Sequence, residues 1–137
     1  MTKLESKVID THLSAQTVYD FLSVLANHEQ IMPEQVSDWQ VDGDTCQYVI
    51  KGTGSVHLKV KERKENRLIA LEPNGRIPFP FDVNWKIEAH DSGAKVQVIM
   101  NADLNPILKM IAASPLTNFI NLQVENLNRV LHEEKSA

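Results

Sequence analysis

From Val36 to Leu104 apolar and polar side chains alternate with a period of two, interrupted only by turn signals. Successive side chains of a strand point to opposite faces, so such a run is a series of strands sharing one apolar face. Ser37, Trp39 and Val41 open the series and end at Asp42-Gly43-Asp44. Cys46, Tyr48 and Ile50 follow, up to the break at Gly52-Thr53-Gly54. Val56, Leu58 and Val60 then oppose His57, Lys59 and Lys61, and Glu65-Asn66 turns the chain into residues 68–73. Beyond Asn74-Gly75, Phe81, Val83, Trp85, Ile87 and Ala89 give the clearest alternation. Asp91-Ser92-Gly93 reverses the chain, and Val96, Val98, Met100, Ala102 and Leu104 close the series. Connections this short join antiparallel neighbours, because a parallel pair needs a crossover of a dozen or more residues. One face of the resulting sheet is apolar and must be covered.

The cover is C-terminal. Asn105 is a helix N-cap and Pro106 suits the first helical position, where its missing N–H costs nothing. Ile107, Leu108, Ile111, Leu116, Phe119, Ile120, Val124, Leu127 and Leu131 form an apolar stripe. Pro115 inside that stripe disfavours the α conformation at Ser114, which predicts a short helix near 106–113, a break or sharp kink, and a helix from about 115 to 133. At about 1.5 Å per residue the second piece is long enough to cross a sheet of six or seven strands. At the other end, residues 3–12 read as a half-buried or edge strand. Ser14 caps a short helix carrying Val18, Phe21, Leu22 and Leu25, and Asn27 to Met32 gives one further turn ended by Pro33. The length and the lack of a linker or repeat predict one domain over residues 1–137.

The segments THLSAQTVYDFLSVLANHEQIMP and ADLNPILKMIAASPLTNFINLQVENLNRVL, in this order around the strands, resemble the START-like (SRPBCC) superfamily of helix-grip proteins. Polyketide cyclases and lipid-transfer domains belong to it, and the second segment is similar to small bacterial members with no assigned reaction. The resemblance spans nearly the whole chain. It implies an α+β helix-grip fold: a curved antiparallel sheet of about seven strands around a long C-terminal helix, with two short helices after the first strand. It also implies a cavity between sheet and helix that holds an apolar or aromatic, lipid-like or polyketide-like molecule. Cys46, Tyr48, Phe81, Trp85, Met100 and Phe119 fall in phase to face that space and are the candidate ligand-binding residues. Large side chains there also serve simply to fill it, and a fold carries no function by itself.

Other chemistries find little support. Fourteen Lys and Arg against eighteen Asp and Glu give a net charge of −4, which argues against a nucleic-acid partner. No run reaches the roughly 20 apolar residues of a membrane span, no signal peptide is evident, and Cys46 is the only cysteine. These point to a cytoplasmic protein, and no pattern fixes an oligomeric state. The five histidines show no metal-ligand spacing, so neither metal nor cofactor is expected. His28, His57, His90 and His132 read as solvated, and Cys46 as a small core residue. The basic cluster of residues 59–67 reads as a solvated hairpin tip, with attraction to an acidic membrane surface as a minor option. No catalytic residue is assigned, although Tyr48 is the candidate acid or base if a cyclase, dehydratase or isomerase is at work. Asp10 and Asp103 stand near strand ends as further carboxylates. Ile77-Pro78-Phe79-Pro80-Phe81 lacks two backbone donors and reads as a blunted edge, a ligand entrance or a partner-docking rim. Binding of a small apolar molecule without catalysis is the leading expectation, with the enzyme and the protein-interaction module as alternatives.

Overall fold

The computed structural model describes residues 1–75 and 79–136. Arg76, Ile77 and Pro78 of the proline-containing rim lie outside the described residues. The strands are β1 (Thr2–Glu5), β2 (Ile9–Thr11), β3 (Val36–Asp42), β4 (Thr45–Ile50), β5 (Gly54–Lys64), β6 (Leu68–Pro73), β7 (Phe81–His90) and β8 (Gly93–Ala102). They form one antiparallel sheet in the order β1-β8-β7-β6-β5-β4-β3, with β2 also paired to β8. Helix α1 (Ala15–Ser23) and a 3-10 helix (Leu25–Ile31) follow β2, and helix α2 (Pro106–Ser136) ends the chain. This is the expected α+β helix-grip architecture. No helix among the described residues is long and apolar enough to cross a membrane.

Local chemistry explains most element boundaries. Ser14 caps α1 by accepting from the Thr17 amide at 3.1 Å, and Asn105 Oδ1 caps α2 by accepting from the Leu108 amide at 2.9 Å. The last carbonyls of α1 lack helical partners, and the Arg63 guanidinium supplies one. It donates to the Ser23 carbonyl and hydroxyl, both at 2.8 Å, and grips the Asp44 carboxylate at 2.7 and 3.1 Å. One side chain thus ties α1 to β5 and to the β3–β4 turn. Bulges between Ser37 and Gln40 and between Val60 and Glu62 bend the sheet, the first with Asp38 at a positive φ of 56°.

Three expectations need correction. The N-terminal strand is two strands, split at Ser6, whose amide donates to the Val98 carbonyl while its hydroxyl accepts from the Val98 amide, both at 2.9 Å. A side chain there takes the place of a ladder partner, which shifts the pairing without leaving buried groups bare. Helix α2 runs through Pro115 as one element rather than breaking there. The missing Pro115 N–H deprives the Ile111 carbonyl of its helical partner, and it does so at an exposed residue, where losing that bond costs less than in a buried helix interior. Finally, the start of the apolar stripe is mostly uncovered: Ile107 and Ile111 are 71% and 66% exposed and Leu108 is only half-buried, with the neighbouring Met110 87% exposed. The first two turns of α2 overhang the sheet, and burial of the stripe becomes continuous from Phe119 through Leu131.

The core lies between the concave face of the sheet and α2, which packs on β1, β2, β8 and the 3-10 helix. Helix α1 closes one end over β6, β7 and β8. Trp85, Val96 and Val98 from the sheet are fully buried with Val124 and Leu127 from α2.

Candidate ligand cavity

Packing between sheet and α2 stops short of filling the interior. A cavity of about 130 Å³ remains. Strand β4 contributes Cys46, Tyr48 and Ile50, β7 contributes Phe81, Val83 and Trp85, β8 contributes Met100, and α2 contributes Leu116, Phe119 and Ile120. The alternation along each strand turns these residues inward together. All six candidate residues, Cys46, Tyr48, Phe81, Trp85, Met100 and Phe119, therefore line one cavity, five from the sheet and Phe119 from α2.

The Tyr48 ring is clamped between two others. Trp39 stacks on it at 5.8 Å with planes 22° apart, and Phe119 at 6.5 Å and 7°. The Asp38 bulge puts Trp39 in place for that contact, at the cost of leaving the Trp39 Nε1 buried with no partner among the described residues. Burial and the neighbouring Cys46 push the Tyr48 hydroxyl well above its ordinary value. It stays protonated at neutral pH, acting as a hydrogen-bond donor and not as a base. Burial likewise pushes the Cys46 thiol up to about 11, so little thiolate nucleophile is present.

His28 departs most from its expected solvated position. It is almost fully buried, lines the cavity, and packs edge-on against Trp85 with ring centroids 5.9 Å apart. Its Nε2 lies 2.8 Å from the Leu22 carbonyl oxygen. A carbonyl only accepts, so Nε2 carries the proton and Nδ1 holds the lone pair. Desolvation, only partly offset by that hydrogen bond, lowers the imidazole from 6.5 to about 4 and keeps it neutral. The sequence does hold a signal: Leu25, His28 and Ile31 recur every three residues, the repeat of a 3-10 helix, and all three are buried.

Gln123 was also missed by the pattern of apolar residues. It sits between Phe119 and Leu127 at four-residue steps, inside the buried stripe of α2, and its Nε2 rests 3.7 Å from the Met32 sulfur. A polar residue in an otherwise apolar stripe is itself the signal, since burial of an amide is costly without a purpose. Asp10 and Asp103 stand elsewhere: Asp10 is exposed and pairs with His90 at 2.7 Å, and Asp103 is exposed. His57, on β5, is exposed as expected and also lines the edge of the cavity. His132 is half-buried against the ring of His12 at 5.0 Å. Among the described residues no group of His, Cys, Asp and Glu is arranged to hold a metal. Of the rim, Phe79 and Phe81 are half-buried, pack ring to ring at 5.8 Å and line the cavity, while Pro80 is exposed.

No known protein family and no curated protein matches the chain in sequence. Solved structures do match in shape. XoxI from Bacillus cereus aligns with a TM-score of 0.78 at 8% identity, covering 98% of this chain and 99% of its own. A point mutant of norcoclaurine synthase from Thalictrum flavum, in complex with a transition-state analogue, aligns with a TM-score of 0.78 at 10% identity, covering 98% and 96%. The Aha1 dimer from Colwellia psychrerythraea aligns with a TM-score of 0.69 at 14% identity, covering 93% and 94%. At such identities likeness speaks for architecture alone, and on that ground the chain has the helix-grip fold.

Proposed function

We propose that the chain binds a small apolar or aromatic molecule in the cavity between β4, β7, β8 and α2, and carries out no chemistry on it. One observation carries this reading: the interior keeps an apolar void of about 130 Å³ walled by Trp85, Met100 and Phe119, in a fold too short to waste core volume. A packed protein interior normally leaves few voids larger than a water molecule, and each unfilled void weakens the fold. The norcoclaurine synthase neighbour, solved with a transition-state analogue, supports by its fold the binding of a small molecule. Tyr48 and Cys46, both protonated at neutral pH, support a binding role over nucleophilic or base catalysis.

Native mass spectrometry of the purified full chain with toluene, phenol and naphthalene tests the reading. A 1:1 complex is expected with at least one of them. It should disappear in Val83→Trp, which fills the cavity, while the far-ultraviolet circular dichroism of that variant stays that of a folded protein. No complex with any of the three overturns the proposal and assigns the void to imperfect packing.

A further inference from the structure

We propose that the cavity selects an uncharged single-ring molecule bearing a hydrogen-bond donor, a phenol in chemical class, over both the corresponding hydrocarbon and a single-ring carboxylate. This rests on the ligand-binding reading above and names the ligand class for the same site.

Size sets the first limit. The void of about 130 Å³ is near the volume of about 150 Å³ that accommodates benzene in an apolar protein cavity, and well below the roughly 300–1,000 Å³ of sites for drug-sized ligands. One six-membered ring enters without displacing a wall residue, whereas a fused polycycle or a long acyl chain does not.

Charge sets the second. Among the described residues no Asp, Glu, Lys or Arg lines the cavity. His28, Tyr48 and Cys46 are all held neutral in its buried part, and the remaining titratable lining residue, His57, stands at the exposed edge on β5. A carboxylate or ammonium placed in the buried part would lose its hydration and meet no counter-charge there. Neutral molecules escape that penalty.

The third is the pattern of idle polar atoms. Among the described residues no hydrogen bond reaches His28 Nδ1, the Gln123 carboxamide oxygen or the Tyr48 hydroxyl, and each of these residues is at least nine-tenths buried. The first two are acceptors, the third chiefly a donor. A ligand hydroxyl that donates to the imidazole or amide and accepts from Tyr48 supplies bonds that no described protein group makes there. A methyl group in the same place forfeits them. The rings of Trp85, Phe81 and Phe119 supply apolar aromatic surface for a ligand ring.

The test compares phenol, toluene and benzoate at pH 7.5 on the intact chain, by calorimetry and by following the Trp85 indole N–H in NMR titrations. Phenol is expected to bind at least tenfold more tightly than toluene, and benzoate at least a hundredfold more weakly than phenol. In Tyr48→Phe and Gln123→Met, each near in shape to the original, the phenol-to-toluene ratio should fall toward one. Equal affinities for phenol and toluene overturn the hydrogen-bonding inference while the apolar cavity stands. Benzoate binding as tightly as phenol overturns the selection for neutral ligands. Binding of none of the three overturns the cavity reading itself, and this inference with it.

Discussion

Lowering the pH from 7.5 to 5.0 should destabilise the protein by about 2 kcal/mol through His28 alone. The imidazole is depressed from 6.5 in the unfolded chain to about 4 in the native state by desolvation beside Trp85. Between those two values the unfolded chain binds a proton that the native protein refuses. Stability is therefore full above pH about 6.5, falls as the pH drops, and levels off below about 4. Each unit within that window is worth about 1.4 kcal/mol, and pH 5.0 lies 1.5 units into it, which gives about 2 kcal/mol. Urea unfolding at half-unit pH steps, for the wild type and for His28→Gln, isolates the effect. The glutamine amide can still donate to the Leu22 carbonyl but does not titrate, and the exposed histidines contribute equally to both proteins. The wild-type curve should drop relative to the variant by about 2 kcal/mol between pH 7.5 and 5.0. Parallel curves would refute the burial argument and put His28 in contact with water.

Two substitutions test the frame around the cavity. A Cβ added at Gly93 would stand 1.8 Å from the Thr11 carbonyl oxygen, so Gly93→Ala must push β2 away from β8. A loss of at least roughly 3 kcal/mol in urea unfolding is expected, and a loss under about 1 kcal/mol would show that the two strands are not in close register there. Pro115→Ala restores a helical N–H and removes a ring from the middle of α2. Thermal melts should show a gain of about 1–2 kcal/mol, less than the roughly 3 kcal/mol of a buried helix interior because alanine also loosens the unfolded chain. A lower Tm would instead mean that α2 depends on the proline.

The architecture was legible in the sequence because its signals are local. Alternation from Phe81 to Ala89 and from Val96 to Ala102, the caps at Ser14 and Asn105, and turns at Gly43 and Gly93 each depend on a few neighbouring residues. What stayed hidden depends on tertiary context. Pro115 reads as a break or sharp kink until the structure shows one continuous helix and the hydrogen bond it removes falling at exposed Ile111. Ile107 belongs to the apolar stripe by spacing, yet the sheet ends before reaching it. The inward phase of Cys46, Tyr48, Phe81, Trp85, Met100 and Phe119 followed from period two, but the void they leave depends on how β4, β7 and α2 come together. His28 and Gln123 escaped for a different reason. Polar side chains are read as solvated by default, and only the position of each within an apolar repeat argues otherwise.

The pairing of β1 and β2 with β8 also bears on how the chain comes into being. Thr2 lies opposite Ala102 and Ile9 opposite Val96, so β1 and β2 leave the ribosome with no partner until β8 follows. Hairpins from β3 to β8 can close as they emerge, since each strand there pairs with its immediate predecessor. The N-terminal strands and α2 must then dock late and together, sealing the interior over Trp85. Nascent chains stalled before residue 94 should accordingly remain open to proteases and hold no ligand, and the emergence of β8 and α2 becomes the step at which the cavity is made.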